Sequence, residues 1–187
     1  MSAALAEGGD RRRPIVIGVL SDTHGHLYPK VKETLEGVDH IIHAGDVGSA
    51  HVLTELKAIA PVTAVRGNCD LEAWAQNVPT EAELEVGGVR ILVGHIAGRL
   101  RDRRARVPGA LHPSAVRAVV TGHTHRVEIE ERDGVLHLNP GSAGPQRFGR
   151  PRTVARLSIT PRPEGQKHGH GGVSTRVEVE IAVVSGD

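Results

Sequence analysis

Seven side chains of types that commonly bind metal ions lie in five short segments of the chain, and each segment contains a glycine. The segments are Ser21–Gly25, Gly45–Asp46, Gly67–Asp70, Gly94–His95 and Gly122–His125. Most of them directly follow a run of apolar, β-branched residues, which is the pattern expected where strands end and loops begin. The candidate ligands are Asp22, His24, Asp46, Asn68, His95, His123 and His125.

These residue types favour a particular chemistry. Asp22 and His24 are two residues apart, so a turn that begins there can direct both at one ion. His123 and His125 are also two residues apart, on one loop. Seven ligands suit two ions with about four protein ligands each, if one carboxylate is shared. Two ions roughly 3.5–4 Å apart acidify a bridging water to hydroxide, which can attack phosphorus in line. Hydrolysis of phosphate esters is therefore the expected reaction, with no protein side chain covalently modified.

Each segment also has an ordinary structural interpretation. Asp-Thr-His-Gly alone is compatible with a simple turn, and Gly-Asn-Cys-Asp with a loop containing an Asx-turn. A single histidine after a strand is more often a structural residue than a ligand. The functional interpretation depends on all five segments occurring in order, each near the end of a strand.

Composition sets limits on the class of protein. The 187 residues fit one domain, and a net charge of +1 gives no electrostatic argument for binding nucleic acid or membranes. One cysteine excludes an intrachain disulfide and fits a reducing compartment. No segment is long enough to span a bilayer. We expect a disordered tail over residues 1–13, a single domain over 14–187, and a cytoplasmic location.

The first half of the chain alternates between strand and helix patterns, with short apolar runs separated by helical spacings. Strands are predicted over 14–20, 39–43 and 61–65, and helices over 28–35 and 50–59. This β-α-β-α-β order predicts parallel strands joined by right-handed crossovers.

The second half has hairpin signals instead. Strands 81–86 and 89–93 flank Gly87-Gly88, and strands 127–131 and 135–138 flank Asp133-Gly134. Further strands are predicted over 116–121, 153–159 and 175–184, with a loop over 161–172. The pattern indicates an α/β (α+β) fold with two sheets packed face to face and helices outside.

The motifs together resemble those of the calcineurin-like metallophosphoesterases, specifically the small bacterial and archaeal phosphodiesterase branch. The motifs are Ser21-Asp22-Thr23-His24-Gly25, His43-Ala44-Gly45-Asp46, Gly67-Asn68-Cys69-Asp70, Gly122-His123-Thr124-His125 and Asn139-Pro140-Gly141-Ser142. The resemblance runs from about residue 15 to about residue 159. It implies a four-layer α-β-β-α sandwich, with two mixed sheets flanked by helices.

The resemblance also implies how the ligands divide between two ions, with Asp46 bridging. The first ion would be held by Asp22, His24, Asp46 and His125. The second would be held by Asp46, Asn68, His95 and His123. Relatives in this branch typically use Mn or Ni and act on phosphodiesters.

Three features depart from the family pattern. Cys69 stands where the superfamily usually has a histidine that protonates the leaving group, so we expect a preference for leaving groups that need little protonation. Ile96 and Ala97 follow His95, where relatives often have glycine and a polar residue. Residues 98–113 are Arg-rich and predicted to be irregular, where relatives usually have a regular helix.

Several weaker signals were weighed against structural alternatives. The basic run Arg99, Arg101, Arg103, Arg104 and Arg106 has the charge to attract a polyanionic substrate, but a solvated face is favoured. Arg147 is a candidate for phosphate contact or a surface arginine, with neither favoured.

The remaining histidines and the cysteine are assigned structural or solvent-facing positions. We expect His43 to be a buried core residue and His26 to face solvent. His168 and His170 lie in a Gly-rich loop that suits only adventitious metal binding. Cys69 is expected to pack near the metals rather than act as a nucleophile.

The sequence thus predicts a metal-dependent phosphodiesterase that uses two divalent transition-metal ions. Mn is the expected metal, with Ni, Fe, Co or Zn as alternatives, and the catalytic residues are Asp46, Asn68 and His95. The expected substrate is a phosphodiester small molecule or nucleotide, without membrane binding, while nucleic acid and a homodimer stay open. The alternatives are a phosphomonoesterase and a non-catalytic protein-interaction module on the same fold. Retention of His24 favours catalysis, because such modules tend to lose ligands.

Overall fold

The computed structural model describes residues 3–4, 13–104, 116–147, 149–160 and 175–184, with the backbone alone at 3–4 and 101–104. The strands are β1 Ala3–Ala4, β2 Ile15–Leu20, β3 His40–His43, β4 Val62–Ala64, β5 Glu81–Val86, β6 Val89–Gly94, β7 Val116–Val120, β8 Val127–Arg132, β9 Val135–Pro140, β10 Arg152–Thr160 and β11 Arg176–Val184. The helices are α1 Pro29–Thr34, α2 Ala50–Lys57 and α3 Ala97–Arg104, with a 3₁₀ helix at Ala73–Asn77.

The strands form two mixed sheets. The first sheet has the order β1-β5-β6-β7-β9-β8, and the second has the order β11-β10-β2-β3-β4. In the second sheet β2, β3 and β4 are parallel, as the alternation of strands and helices predicts, and β10 lies antiparallel to β2. In the first sheet β6, β7 and β9 are parallel, whereas the hairpins β5–β6 and β8–β9 are antiparallel.

Buried aliphatic side chains hold four layers together. Alternate residues of β2 point to opposite faces, so Ile17 packs between the two sheets and Leu20 packs under the helices. Val31 of α1 and Leu56 of α2 cover the outer face of the second sheet. Leu100 of α3 covers the first sheet by packing against strand residues of β6, β7 and β9. The architecture is therefore the expected α-β-β-α sandwich.

One local prediction is wrong. Residues 98–113 were expected to be irregular, but α3 spans Ala97–Arg104. Arginine is a good helix former, and Leu100 is only 1% exposed, so its burial against the first sheet anchors the helix. A high arginine content therefore did not prevent helix formation.

Some predicted features lie outside the described residues. These are the loop over 161–172, His168 and His170, and residues 105–113. Most of the predicted tail over 1–13 is also outside them, although Ala3–Ala4 pairs in parallel with β5. No helix in the described part of the chain is long and apolar enough to cross a membrane. Strand β8, at one edge of the first sheet, is exposed along its length. The question of a homodimer stays open.

Candidate metal centre

The candidate ligands come together because they follow strands that end at the same side of the sandwich. The loops after β2, β3 and β4 leave the second sheet, and those after β6 and β7 leave the first. Backbone hydrogen bonds join neighbouring loops: the Asp22 N–H donates to the Gly45 carbonyl at 2.9 Å, and the Gly122 N–H to the His95 carbonyl at 3.0 Å. Both sheets therefore contribute side chains to one region.

A first cluster is formed by Asp22, His24 and His125. The Nε2 atoms of His24 and His125 are 3.3 Å apart, and His125 Nε2 lies 3.3 Å from Asp22 Oδ1. Asp22 is fully buried, and its Oδ1 atom has no hydrogen-bond partner among the described residues. A buried carboxylate oxygen beside two imidazole nitrogens fits a divalent cation, which all three atoms can coordinate.

A second cluster is formed by Asp46, His95 and His123, with Asn68 beside it. His95 Nε2 lies 3.3 Å from Asp46 Oδ2 and 3.1 Å from Asn68 Oδ1. The other ring nitrogen of His95, Nδ1, lies 2.8 Å from the Ala44 carbonyl. A carbonyl can only accept, so Nδ1 carries the proton and the lone pair of Nε2 is available to a metal.

Asp46 lies next to both clusters. Its carboxylate belongs to the second cluster, and its ligand oxygen is also within 4.8 Å of the corresponding atoms of His24 and Cys69. The Cys69 N–H donates to Asp46 Oδ1 at 2.8 Å, which fixes the carboxylate in this position. The placement is compatible with the shared role that the family resemblance implies for this residue.

The backbone at the candidate ligands is unusual. Asp22, His24, Asp46, His123 and His125 have φ angles of 58°, 47°, 52°, 71° and 54°. Among the described non-glycine residues, the only other positive φ belongs to Asp133, in the β8–β9 hairpin turn. Left-handed conformations at non-glycine residues cost about 1–3 kcal/mol each and concentrate at functional sites. Five of the seven predicted ligands therefore share a strained backbone conformation of the kind found at functional sites.

The neighbouring glycines allow the loops to approach closely. A Cβ atom on Gly67 would clash with the carboxylate of Asp46. At Gly45, which has a φ of +91°, a Cβ would lie 2.7 Å from His95 Nδ1. A side chain at either position would displace a candidate ligand that lies on a different loop, Asp46 or His95, which explains why both positions require glycine.

Two supporting residues lie in the sequence motifs but were not assigned roles. The buried carboxylate of Asp70 accepts from the N–H groups of Val47, Gly48 and Gly67 at 3.1, 2.7 and 2.8 Å. It thereby ties the loop after β3 to the loop after β4. Asn139 supports the loop after β7, because its Nδ2 donates to the Gly122 carbonyl at 2.7 Å. The sequence indicated the importance of both residues only through their positions in the motifs Gly67-Asn68-Cys69-Asp70 and Asn139-Pro140-Gly141-Ser142.

The pKa values of the carboxylates and histidines shift in opposite directions in the two clusters. Burial raises the pKa of Asp22 to about 6 and lowers the pKa values of His24 and His125. Burial would also raise the pKa of Asp46, but contacts with His95 and the Cys69 N–H hold it below its usual value. For His95, burial opposes protonation, yet the hydrogen bonds to Asp46 and Ala44 raise the pKa. Cation binding would favour the ionised Asp22 and neutral histidines.

His43, His26 and Cys69, which are not in the proposed ligand set, lie in or near the site loops. His43 is fully buried, with Nε2 2.9 Å from Thr23 Oγ1, as predicted. His26 is exposed, also as predicted, and its ring stacks on Tyr28. Cys69 lies beside His24 and Asp46, where burial and the Asp46 carboxylate raise the pKa of its thiol.

The charge of Arg147 acts on the first cluster. Its side chain is exposed, and its positive charge helps to lower the pKa values of His24 and His125 and opposes the rise in the pKa of Cys69. This position favours the phosphate-contact interpretation over that of a remote surface arginine. Of the basic run, the side chain of Arg99 is described, whereas those of Arg101, Arg103, Arg104 and Arg106 lie outside the described residues.

Comparison with known proteins agrees with this geometry. Residues 15–162 match the calcineurin-like phosphoesterase superfamily domain. A probable metallophosphoesterase from Methanocaldococcus jannaschii is 35% identical over 162 residues, covering 81% of this chain and 80% of the relative. A phosphodiesterase from the same organism is 30% identical over 142 residues, covering 67% of this chain and 82% of the relative.

The chain therefore belongs to the calcineurin-like phosphoesterase superfamily, and it is a metal-dependent phosphoesterase. A solved structure of vacuolar protein sorting 29 from Cryptosporidium parvum matches with a TM-score of 0.64 and 19% identity, covering 91% of this chain and 99% of that protein. At this level of identity the match shows a common fold and nothing of function.

Proposed function

We propose that this phosphoesterase hydrolyses phosphodiesters of small molecules or nucleotides by a two-metal mechanism. The observation that carries the proposal is the pair of ligand clusters that meet at Asp46. Each cluster alone is compatible with an isolated ion. Two clusters with the Asp46 carboxylate in the second and close to His24 of the first suit paired ions, which act on both the attacking and the leaving oxygen of a phosphate ester.

The proposed ligand sets follow the family division, and the donor chemistry supports them. Asp22, His24, Asp46 and His125 would hold one ion. Asp46, Asn68, His95 and His123 would hold the other. These nitrogen and oxygen donors suit Mn, which we propose as the metal ahead of Ni, Fe, Co or Zn. Two such cations would supply the hydroxide nucleophile and neutralise charge on the phosphoryl oxygens.

The side chains of the site orient these groups. Hydrolysis adds the oxygen of one water to phosphorus and breaks the bond to the leaving alcohol, which takes up a proton. The Nδ1–H bond of His95 to the Ala44 carbonyl fixes the direction of Nε2. The positive charge of Arg147 acts on His24 and His125 of the first cluster, and its guanidinium would contact a non-bridging phosphoryl oxygen. Among these groups, Asp46, Asn68 and His95 are the proposed catalytic residues.

The proposal is tested by hydrolysis of bis-p-nitrophenyl phosphate beside p-nitrophenyl phosphate, with Mn²⁺ or with EDTA. We expect turnover that requires the metal and favours the diester. Preference for the monoester would instead identify a phosphomonoesterase. Absence of turnover with Mn, Ni, Co and Zn would favour a non-catalytic module.

A matched pair of histidines provides the control. His24→Gln removes a proposed ligand, whereas His26→Gln changes an exposed histidine two residues away. We expect His24→Gln to lower kcat/KM by about a hundredfold or more, since even residues that only support metal ligands cost about 10–100-fold. His26→Gln should retain the wild-type rate. Equal rates in the two variants would remove His24 from the ligand set.

A further inference from the structure

A cleft of about 410 Å³ opens beside the second cluster and is not used by the chemistry above. Asn68 and His95 form part of its wall, so it continues directly from the proposed catalytic residues. Its volume lies in the range of small-molecule sites. A substrate bound at the metal centre would therefore extend one of its two ester groups into this cleft.

Two arginines from different parts of the fold line the cleft. Arg66 follows β4 of the second sheet, and Arg99 lies in α3, which packs on the first sheet. Among the described residues, no carboxylate forms an ion pair with either guanidinium. Two unpaired guanidinium groups that converge on one cleft are typical of a site for an anionic group.

The acidic residues of the cleft do not cancel this charge by pairing with the arginines. Asp70 is 2% exposed, and its carboxylate is occupied by three backbone N–H groups. Glu81, the other acid that lines the cleft, is engaged in an interaction of its own. Within the described part of the chain, the guanidinium groups of Arg66 and Arg99 thus remain available to a ligand.

The rest of the cleft is suited to the body of an organic molecule. Leu71 and Ile96 line it, and the side chain of Leu71 is 78% exposed, the highest value among the exposed large hydrophobic residues in the described chain. An apolar surface in the same cleft as Asn68 and the two arginines matches a nucleoside that joins two phosphate groups. The cleft and the metal centre together therefore suit a ligand with a negatively charged group at each end and a less polar part between them.

We propose that this cleft is a subsite for a second phosphate group, carried by one of the two esterified alcohols of the substrate. The substrate class is then a phosphodiester that bears a further phosphate, as in a phosphorylated dinucleotide. Arg66 and Arg99 bind that phosphate, and they determine specificity without taking part in the reaction at the scissile bond. The inference rests on the proposed phosphodiesterase function.

The test compares substrates that differ only in a terminal phosphate. Thymidylyl-thymidine is compared with its 5′-phosphorylated and 3′-phosphorylated forms, with Mn²⁺ present and the products separated by chromatography. In the wild-type protein we expect one phosphorylated form to have a kcat/KM about tenfold or more above the unphosphorylated form, as charge-assisted contacts imply. Because the readout is a ratio within one protein, a general change in activity cancels.

Variants assign the effect to the cleft. Arg66→Gln and Arg99→Gln should each bring the ratio towards one, and Arg99→Lys should restore part of it. Arg176→Gln, an exposed residue of β11 that pairs with Glu178, is the matched control and should keep the wild-type ratio. A wild-type ratio near one, or a ratio that the cleft variants leave unchanged, would overturn the subsite.

A binding measurement separates this inference from the proposed function. If bis-p-nitrophenyl phosphate is hydrolysed and the ratio is near one, the subsite fails and the phosphodiesterase stands. If neither the nitrophenyl diester nor the dinucleotides are hydrolysed, calorimetric titration with thymidine 3′,5′-bisphosphate and thymidine 5′-monophosphate decides. Tighter binding of the bisphosphate, lost in Arg66→Gln and Arg99→Gln but kept in Arg176→Gln, supports the subsite. Equal affinity for the two nucleotides overturns it.

Discussion

His43 is held in its neutral form by partners at both ring nitrogens. Thr23 Oγ1 donates to the Val47 carbonyl at 2.9 Å, so it accepts the proton of His43 Nε2. The Gly45 N–H donates to Nδ1 at 3.3 Å, which leaves no acceptor there for a second proton. Burial accordingly lowers the pKa of His43 to about 4.

This arrangement predicts a loss of stability in acid. The unfolded chain binds a proton at His43 below a pH of about 6.5, whereas the folded chain does so only near pH 4. The contribution of His43 is therefore fully present above pH 6.5 and falls by about 3 kcal/mol as the pH drops to 4. Urea unfolding with EDTA at pH 7.5 and pH 5 measures it against His43→Gln. The wild type should lose about 2 kcal/mol more than the variant over this interval. The same loss in both proteins would contradict the assignment.

The thiol of Cys69 is poorly suited to protonate a leaving group. Burial and the neighbouring Asp46 carboxylate raise the pKa of the thiol, so it is a weak acid at neutral pH. We predict that kcat/KM with Mn²⁺ falls steeply along a series of aryl phosphodiesters as the pKa of the leaving phenol rises. Cys69→Ala should show the same slope within error. A steeper slope in Cys69→Ala would show that the thiol protonates the leaving group, and a flat wild-type slope would point to another acid.

At the scale of the elements, Asp70 joins two loops that each carry a candidate ligand. Asp70→Asn replaces one carboxylate oxygen, which accepts hydrogen bonds from backbone N–H groups, by an NH₂ group. Two donors then face each other and the hydrogen bond is lost. We predict a loss of about 1–3 kcal/mol in the free energy of unfolding and a fall of about tenfold in Mn²⁺ affinity by calorimetry. Asp39→Asn is the control, because Asp39 accepts from the Val16 N–H far from the site. It should lose stability but keep its metal affinity, and an equal loss of affinity in both variants would contradict the prediction.

The elements also show where sequence reasoning is sufficient. The strands and helices of the first half follow from local apolar patterns, and the predicted strand over 39–43 differs from β3 by one residue. Strand order was not predictable in the same way, because it is set by contacts distant in sequence. Strand β10 pairs with β2, which lies more than 130 residues earlier in the chain. No local sequence pattern indicates this pairing. The ligand residues were identifiable from type and spacing, whereas the cleft lined by Arg66 and Arg99 required the two sheets to be placed together.

At the scale of the whole molecule, the proposed metals would connect the two sheets. Asp22, His24, Asp46 and Asn68 follow strands of the second sheet, whereas His95, His123 and His125 follow strands of the first. Ions held by both groups would oppose separation of the sheets. Metal binding should therefore stabilise the folded protein as a whole, because the unfolded chain does not present these ligands together.

We predict that Mn²⁺ at about 100 times its Kd stabilises the protein by about 2.7 kcal/mol for each bound ion, seen as a higher Tm than in EDTA. His24→Gln should reduce the shift, because a ligand of the first ion is lost. His26→Gln should keep it, because that side chain is exposed and outside the ligand set. Calorimetric Tm values of the three proteins with Mn²⁺ and with EDTA measure the effect without any assay of activity. An equal shift in all three would mean that Mn²⁺ binds elsewhere, and no shift in the wild type would contradict metal binding across the two sheets.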